Sequence, residues 1–125
     1  SGLNAQIFIN SPIQYYIMDF KELGEFIDTE DRRLIERFGD LMPTQQEKIL
    51  ARTVKLTEEL GELCNEVLAF NGDQRKEKLH NHNTDTLSEE FADVIIVALL
   101  LAKTMDVNVE EALRKKIEKI HRRYE

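Results

Sequence analysis

Two short acidic segments contain the residue types in this chain that are best suited to chemistry. "EELGEL" spans residues 58–63 and "EEFADV" spans residues 89–94, and both read acid, acid, large apolar, small, acid, apolar. Carboxylates gathered at one place repel one another unless protons or cations compensate them. Hard divalent ions such as Mg²⁺ and Mn²⁺ prefer all-oxygen ligands. The repeated pattern therefore indicates a divalent-metal site, with ordinary solvated acids on glutamate-rich helices as the alternative.

The spacing predicts how the acids lie on two helices. At about 100° per residue, two acids of each segment lie along one edge of an apolar stripe. These acids are Glu59, Glu62, Glu90 and Asp93. We expect the helices to pack antiparallel through seams centred on Leu60, Leu63, Phe91 and Val94, so that the acid pairs meet at one rim of the interface. Gly61 and Ala92 would allow close approach of the backbones. Glu58 and Glu66 are predicted to be solvated, and Glu89 to belong to a helix cap.

The elements that position these residues are all predicted to be helical. A capping-box spacing occurs four times, at Asp19/Glu22, Thr44/Glu47, Thr86/Glu89 and Asn108/Glu111. It predicts helices over residues 19–27, 44–70, 86–105 and 108–125, with a short helix at 30–38 and a loop at 71–85. The expected fold is an all-α antiparallel bundle of about four to five helices. Residues 1–17 are predicted to form an N-terminal arm, in which Ser1-Gly2 is an expression scar, and residues 18–125 a single domain.

Composition narrows the class of protein. A net charge of −7 argues against a general nucleic-acid surface, which needs a basic face. The longest apolar run, residues 94–102, is shorter than the roughly 20 residues that span a bilayer. This run is apolar around the whole helix, which predicts that a second copy of the chain covers one side of it. The single Cys64 excludes an internal disulfide and suits a reducing cytoplasm.

Three quoted segments resemble one known family. They are "KLTEELGEL" at residues 55–63, "EEFADVIIVALLLA" at 89–102 and "VNVEEALRKKIEKIHRRYE" at 107–125. In their order of ExxE, loop and ExxD, they resemble the MazG-like, all-α nucleoside triphosphate pyrophosphohydrolases over residues 44–125. The resemblance implies Mg²⁺-dependent hydrolysis, with Mn²⁺ as a substitute, of a nucleotide between its α- and β-phosphates. It also implies a cytoplasmic homodimer or dimer of dimers that removes non-standard or excess deoxynucleotides.

The resemblance assigns roles to individual residues. Glu59, Glu62, Glu90 and Asp93 would be the metal ligands, and Glu58 or Glu89 would orient the attacking water. Four basic residues would bind the phosphates, namely Lys55, Lys116, Lys119 and Arg123. The alternative for the last three is a solvated basic helix end that complements the helix dipole. Ile120 stands where some relatives have Asn, which leaves one sugar or phosphate contact unassigned.

Two other functions are alternatives to nucleotide hydrolysis. A di-iron carboxylate bundle normally pairs Glu with Glu-x-x-His, and neither acidic segment contains that motif. A non-catalytic helical module for dimerisation or regulation, binding nucleotide without turnover, is the third hypothesis.

Overall fold

The computed structural model describes residues 17–72 and 84–125, and these ranges contain four α-helices. We label them α1 (Phe20–Phe38), α2 (Gln45–Phe70), α3 (Thr84–Thr104) and α4 (Val109–Arg122), with a 3₁₀ turn at Gly39–Leu41. No strand occurs in the described ranges, so the predicted all-α class is confirmed. The predicted arm, apart from Ile17, and most of the predicted loop lie outside the described residues.

Three of the four predicted caps are present. The backbone N–H of Glu22 donates to Asp19 Oδ1 at 2.8 Å, that of Glu47 to Thr44 Oγ1 at 3.1 Å, and that of Glu111 to Asn108 Oδ1 at 3.0 Å. These bonds satisfy backbone donors that the first helical turn leaves unpaired. The fourth predicted cap is wrong, because α3 begins at Thr84 and Thr86 therefore lies inside the helix.

The first helix is longer than the sequence predicts. We expected a break between residues 27 and 30, but α1 continues for 19 residues to Phe38. Thr29 explains part of the difference, since its hydroxyl donates to the carbonyl of Glu25 at 3.0 Å. A threonine hydroxyl bonded to the preceding turn sits within a helix instead of capping a new one. No Gly or Pro interrupts residues 25–38 either.

A partly buried arginine joins three helices at one end of the bundle. Arg52 on α2 donates to Asp31 of α1 at 2.6 Å and to the Leu100 carbonyl of α3 at 3.1 Å, and also to the Thr104 hydroxyl. Nearby, Lys103 pairs with Asp28 at 2.7 Å. These contacts place the start of α2 beside the end of α3, so the two helices are antiparallel as predicted. None of the helices in the described ranges has the length and apolar character to cross a membrane.

The faces through which α2 and α3 meet differ from the predicted seams. Leu60 and Phe91 are each 49% exposed, whereas Glu59 is only 7% exposed. A Cβ added at Gly61 would meet nothing within 4 Å, and Ala92 is exposed, so neither residue is needed for close approach. Each helix has more apolar circumference than one neighbour can cover. The centre of the apolar stripe therefore does not point towards the neighbouring helix in the same chain.

The last helix stands apart from the others. Every residue from position 110 to 125 is exposed. Short ion pairs within α4 join Arg114 to Glu110 at 2.8 Å and Lys115 to Glu111 at 3.0 Å. Its apolar residues Leu113, Ile117 and Ile120 are 43%, 51% and 37% exposed.

Candidate active site

Three of the four acids that the sequence predicts as ligands meet between α2 and α3. Carboxylate oxygens of Glu59, Glu90 and Asp93 all lie within 4.8 Å of one another. Residues three apart lie on neighbouring positions of one helix face, so each helix presents two acids side by side. The antiparallel packing brings the two pairs to the same level. Glu59 lies in the helix interface itself and not at its rim, because α2 is rotated relative to the predicted seam.

Burial leaves some of these oxygens without hydrogen-bond donors. Glu59 is buried and Glu90 is half-buried, whereas Asp93 is exposed. Within the described residues, Oε2 of Glu59 and Oε2 of Glu90 are buried and have no hydrogen-bond partner. Buried oxygen atoms are normally satisfied, so these two are available to a cation, a proton or a water molecule. A set composed of carboxylates alone fits Mg²⁺ or Mn²⁺, which take hard oxygen ligands.

The carboxylates disturb one another's ionisation. The negative charge of Glu59 is the main cause that raises the pKa of Glu62 above its ordinary value. Burial is the main cause that raises the pKa of Glu90, and the charge of Glu62 adds to it. Burial and mutual repulsion thus disfavour the ionised forms of these two carboxyl groups. A cation placed among these side chains would relieve that repulsion.

Lys55 supplies one positive charge to the cluster. It lies one turn before Glu59 on α2, and its Nζ is 3.2 Å from Glu59 Oε1 and 3.3 Å from Glu58 Oε1. The hydrogen bond to Glu59 is the main cause that raises the pKa of Lys55. Glu58 and Glu89 are exposed at the edge of the cluster. With Thr86 inside α3, Glu89 no longer has the capping function that the sequence suggested.

Comparison with known proteins identifies the family of the chain. The family model for the MazG nucleotide pyrophosphohydrolase domain matches residues 45–125, a range that contains both acid pairs. The chain belongs to the MazG family. It is also similar to the uncharacterized protein YpjD of Bacillus subtilis, with 38% identity over 74 residues. That alignment covers 59% of this chain and 65% of YpjD, so the chain spans just under two thirds of this relative's length. No solved structure matches the chain.

The MazG match confirms the family that the sequence motifs indicated, and its bounds separate the helices into two groups. The matched range holds α2, α3 and α4, whereas α1 precedes it. The carboxylates and Lys55 therefore all lie within the MazG domain. Asp31 and Asp28, which anchor α1 to the end of the α2–α3 pair, lie outside it.

One acid of this MazG domain was assigned wrongly from the sequence. Glu66 was predicted to be solvated, but it is only 8% exposed. Its negative charge is among the causes that raise the pKa of Glu90. A signal for it exists in the sequence, since Arg52, Glu59 and Glu66 are spaced by seven residues and therefore share one helix face.

The structure does not bring the basic residues of α4 to the carboxylates of the same chain. Lys116, Lys119 and Arg123 are exposed and form no ion pair within the described part of the chain. Between Asp93 and Thr104, α3 extends by about 16 Å before the chain turns into α4. Because α4 does not pack back along α3, its basic residues remain away from the acids.

Proposed function

We propose that this MazG-family chain hydrolyses nucleoside triphosphates, with deoxynucleoside triphosphates as the expected substrates. One water molecule is consumed, the P–O–P bridge between the α- and β-phosphates breaks, and the products are the nucleoside monophosphate and pyrophosphate. The observation that carries the proposal is the approach of Glu59, Glu90 and Asp93 oxygens to within 4.8 Å in a chain of this family.

Glu59, Glu62, Glu90 and Asp93 would hold Mg²⁺, or Mn²⁺ in its place. Such an ion neutralises phosphate charge and lowers the pKa of a bound water to near neutrality. Lys55 lies next to Glu59 and would donate to a phosphate oxygen. Glu58 or Glu89, both exposed at the edge of the cluster, would accept a proton from the attacking water and orient it.

The cellular role that fits this reaction is the removal of non-standard or excess nucleotides. We place it in the cytoplasm, on the ground that the chain's single cysteine suits a reducing compartment.

We further propose that the active form is a homo-oligomer, either a dimer or a dimer of dimers. Four apolar side chains of α2 and α3 support this: Leu60, Val67, Phe91 and Ile95 are each about half exposed. Leu60 and Phe91 directly follow the facing residues Glu59 and Glu90, so in antiparallel helices they lie on the same side of the pair. A continuous apolar face of this kind typically marks a protein interface.

The reaction is tested by incubating the chain with a panel of ribo- and deoxynucleoside triphosphates. Pyrophosphate and monophosphate are measured with Mg²⁺, with Mn²⁺ and with excess chelator. We expect turnover of at least one nucleotide that stops when the metal is removed. If no nucleotide is hydrolysed with either metal, the non-catalytic nucleotide-binding hypothesis replaces this one.

A matched pair of variants tests the ligand set. Glu62→Gln removes one charge from the cluster and should reduce kcat by at least about 100-fold. Glu36→Gln makes the same chemical change at an exposed position on α1 and should leave kcat unchanged. Full activity in the Glu62→Gln variant would reject the proposed ligands while leaving the family assignment intact.

A further inference from the structure

A groove with a volume of about 620 Å³ lies between the start of α1, the end of α3 and the residues that lead into α4. Each of these elements contributes apolar side chains to its lining, namely Phe20, Leu23, Ile27, Leu99, Val107 and Val109. Ile27 is 5% exposed, whereas Phe20 and Val107 are 38% and 51% exposed. Among the described residues, none of the proposed metal ligands lines this groove. The groove is therefore separate from the carboxylate cluster and offers apolar surface to another occupant.

One wall of the groove lacks a side chain at Gly24. This residue lies within α1, and a Cβ added there would meet nothing within 4 Å. Glycine destabilises a helix interior relative to alanine, and it often marks a place where another backbone approaches closely. Gly24 thus leaves room for a peptide chain to lie against α1.

The charged side chains around the lining indicate which occupants fit. They comprise four acids and two lysines, namely Glu25, Asp28, Asp106, Glu110, Lys21 and Lys103. Lys103 is already paired with Asp28 at 2.7 Å. The excess of acids disfavours an anionic occupant such as a second nucleotide, because like charges brought together repel. An uncharged peptide segment with apolar side chains avoids that repulsion.

Residues 3–16 have the composition that the groove requires. Their sequence is LNAQIFINSPIQYY, in which half of the residues are large and apolar or aromatic and none is charged. Segments that remain in water are typically rich in charged residues and poor in aromatic ones. The composition of residues 3–16 therefore predicts contact with an apolar surface.

The described part of the chain begins beside the groove. Ile17 and Met18 are 74% and 59% exposed, and they precede Phe20, which lines the groove. The wall that α1 contributes, from Phe20 to Asp28, is about 12 Å long. An extended chain spans up to about 3.3–3.6 Å per residue, so roughly four residues cover that length. Residues 3–16 are thus long enough to turn back at residues 17–19 and run along the whole groove.

We propose that residues 3–16 occupy the groove of their own chain, with apolar side chains packed against Phe20, Ile27 and Leu99. Only residues 17–19 separate this segment from the groove wall, so its effective concentration there exceeds that of a second copy. The groove joins α1, which precedes the range matched by the MazG model, to α3 and α4 within that range. The docked segment would therefore hold the start of α4 to α1. This inference goes beyond nucleotide hydrolysis and does not depend on it.

Photo-cross-linking tests the location of the segment. Phe8→p-benzoylphenylalanine and Ile9→p-benzoylphenylalanine are prepared separately in the full chain. Neighbouring side chains of an extended segment point to opposite sides, so one of the two probes faces the groove. After irradiation, proteolysis and mass spectrometry, we expect a peptide joined to residues 20–28 or 99–110. If neither probe labels these ranges, the proposal is overturned.

A matched probe and isotope labelling make the cross-link specific. Phe38→p-benzoylphenylalanine places the same probe at the far end of α1, at a position that is 40% exposed and does not line the groove. It should not label residues 99–110. For the Phe8 and Ile9 probes, ¹⁵N-labelled and unlabelled chains are mixed in urea and refolded together. Joined peptides should carry a single isotope, whereas peptides of mixed isotope would show that a second copy fills the groove and would overturn the proposal.

A double-mutant cycle in the full chain measures the contact without turnover. Ile7→Asn/Phe8→Asn/Ile9→Asn makes the segment polar and should lower Tm by at least about 5 °C at fixed protein concentration. Gly24→Leu fills the groove from α1, so it should lower Tm when the segment is native. With the polar segment it should raise Tm, since leucine favours helix and covers the lining. Gly61→Leu, on α2 and away from the groove, should shift Tm equally in both backgrounds. An equal shift for Gly24→Leu as well would mean that residues 3–16 do not occupy the groove.

Discussion

Replacement of Arg52 by Met should destabilise the fold without altering any proposed ligand. Arg52 connects α1, α2 and α3 through its bonds to Asp31, the Leu100 carbonyl and Thr104. Methionine retains much of the aliphatic volume but removes every donor. Asp31 would then remain only 14% exposed and without its positive partner.

The size of the stability loss follows from how far the Arg52–Asp31 pair is buried. Removing one partner of a buried ion pair typically costs 3–5 kcal/mol, because the other charge is left uncompensated. Arg52 and Asp31 retain 13% and 14% exposure, which permits some hydration and favours the lower end of the range. We therefore expect a loss of about 3 kcal/mol in the free energy of unfolding, corresponding to about 10 °C in Tm.

The measurement is urea unfolding followed by circular dichroism, at one fixed protein concentration because association adds to stability. Arg33→Met is the matched control, since its pair with Glu30 spans 3.8 Å and its side chain is 65% exposed. We expect that control to change stability by less than about 0.5 kcal/mol. Adding Asp31→Asn to Arg52→Met should recover part of the loss. A loss below about 1 kcal/mol for Arg52→Met would show that the three contacts do not hold the helices together.

Three further predictions concern α2 and the cluster. Gly61→Ala should stabilise the protein by about 0.5–1 kcal/mol in urea unfolding with kcat unchanged, since residue 61 lies within a helix and an added Cβ meets nothing within 4 Å. A loss of stability would mean that another surface covers this face of the helix. Because the pKa of Glu90 is raised in the folded protein, this group contributes stability that is fully present below pH 4.5, its ordinary pKa. That stability is lost as the pH rises through the raised pKa. The metal-free protein should thus lose stability over that range more than Glu90→Gln does, and parallel pH curves would contradict this. Mn²⁺ at 100 times its Kd should raise the free energy of unfolding by about 2.7 kcal/mol, and Glu59→Gln should abolish most of that gain in titrations followed by calorimetry.

The sequence predicts most of the fold because local signals agree with it. The caps at Asp19, Thr44 and Asn108 depend on a side chain and a backbone N–H three residues away, so no distant contact has to be known. The extent of α2 follows from an uninterrupted helical pattern. The approach of Glu59 to Glu90 and Asp93 also follows from the sequence, since it depends on spacing and antiparallel order.

The sequence does not predict how each helix is rotated about its own axis, or which helix surfaces are covered by groups outside the described chain. The sequence predicts that the apolar stripe of α2 contacts α3, yet Leu60 is half exposed and Glu66 is buried. Hydrophobic periodicity gives the total apolar circumference of a helix without saying which neighbour covers which part. The same limit applies to α4, because its apolar stripe predicts burial while the described part of the chain leaves Leu113 and Ile117 exposed.

Two equivalent positions on α2 show why the cluster is better explained by a ligand than by the needs of folding. Arg52 and Glu59 are one heptad apart on the same face, and both are charged residues at the interface with α3. At Arg52 the chain supplies a complete set of partners, namely Asp31, a carbonyl and a hydroxyl. At Glu59 it supplies Lys55 on one oxygen, while the facing side chains are further acids. A chain that needed only a stable interface would have an apolar residue or a paired charge there, since uncompensated buried charge destabilises the fold. The repulsion among these carboxylates is therefore a cost that folding alone does not explain, and the divalent cation and phosphate substrate that we propose would remove it.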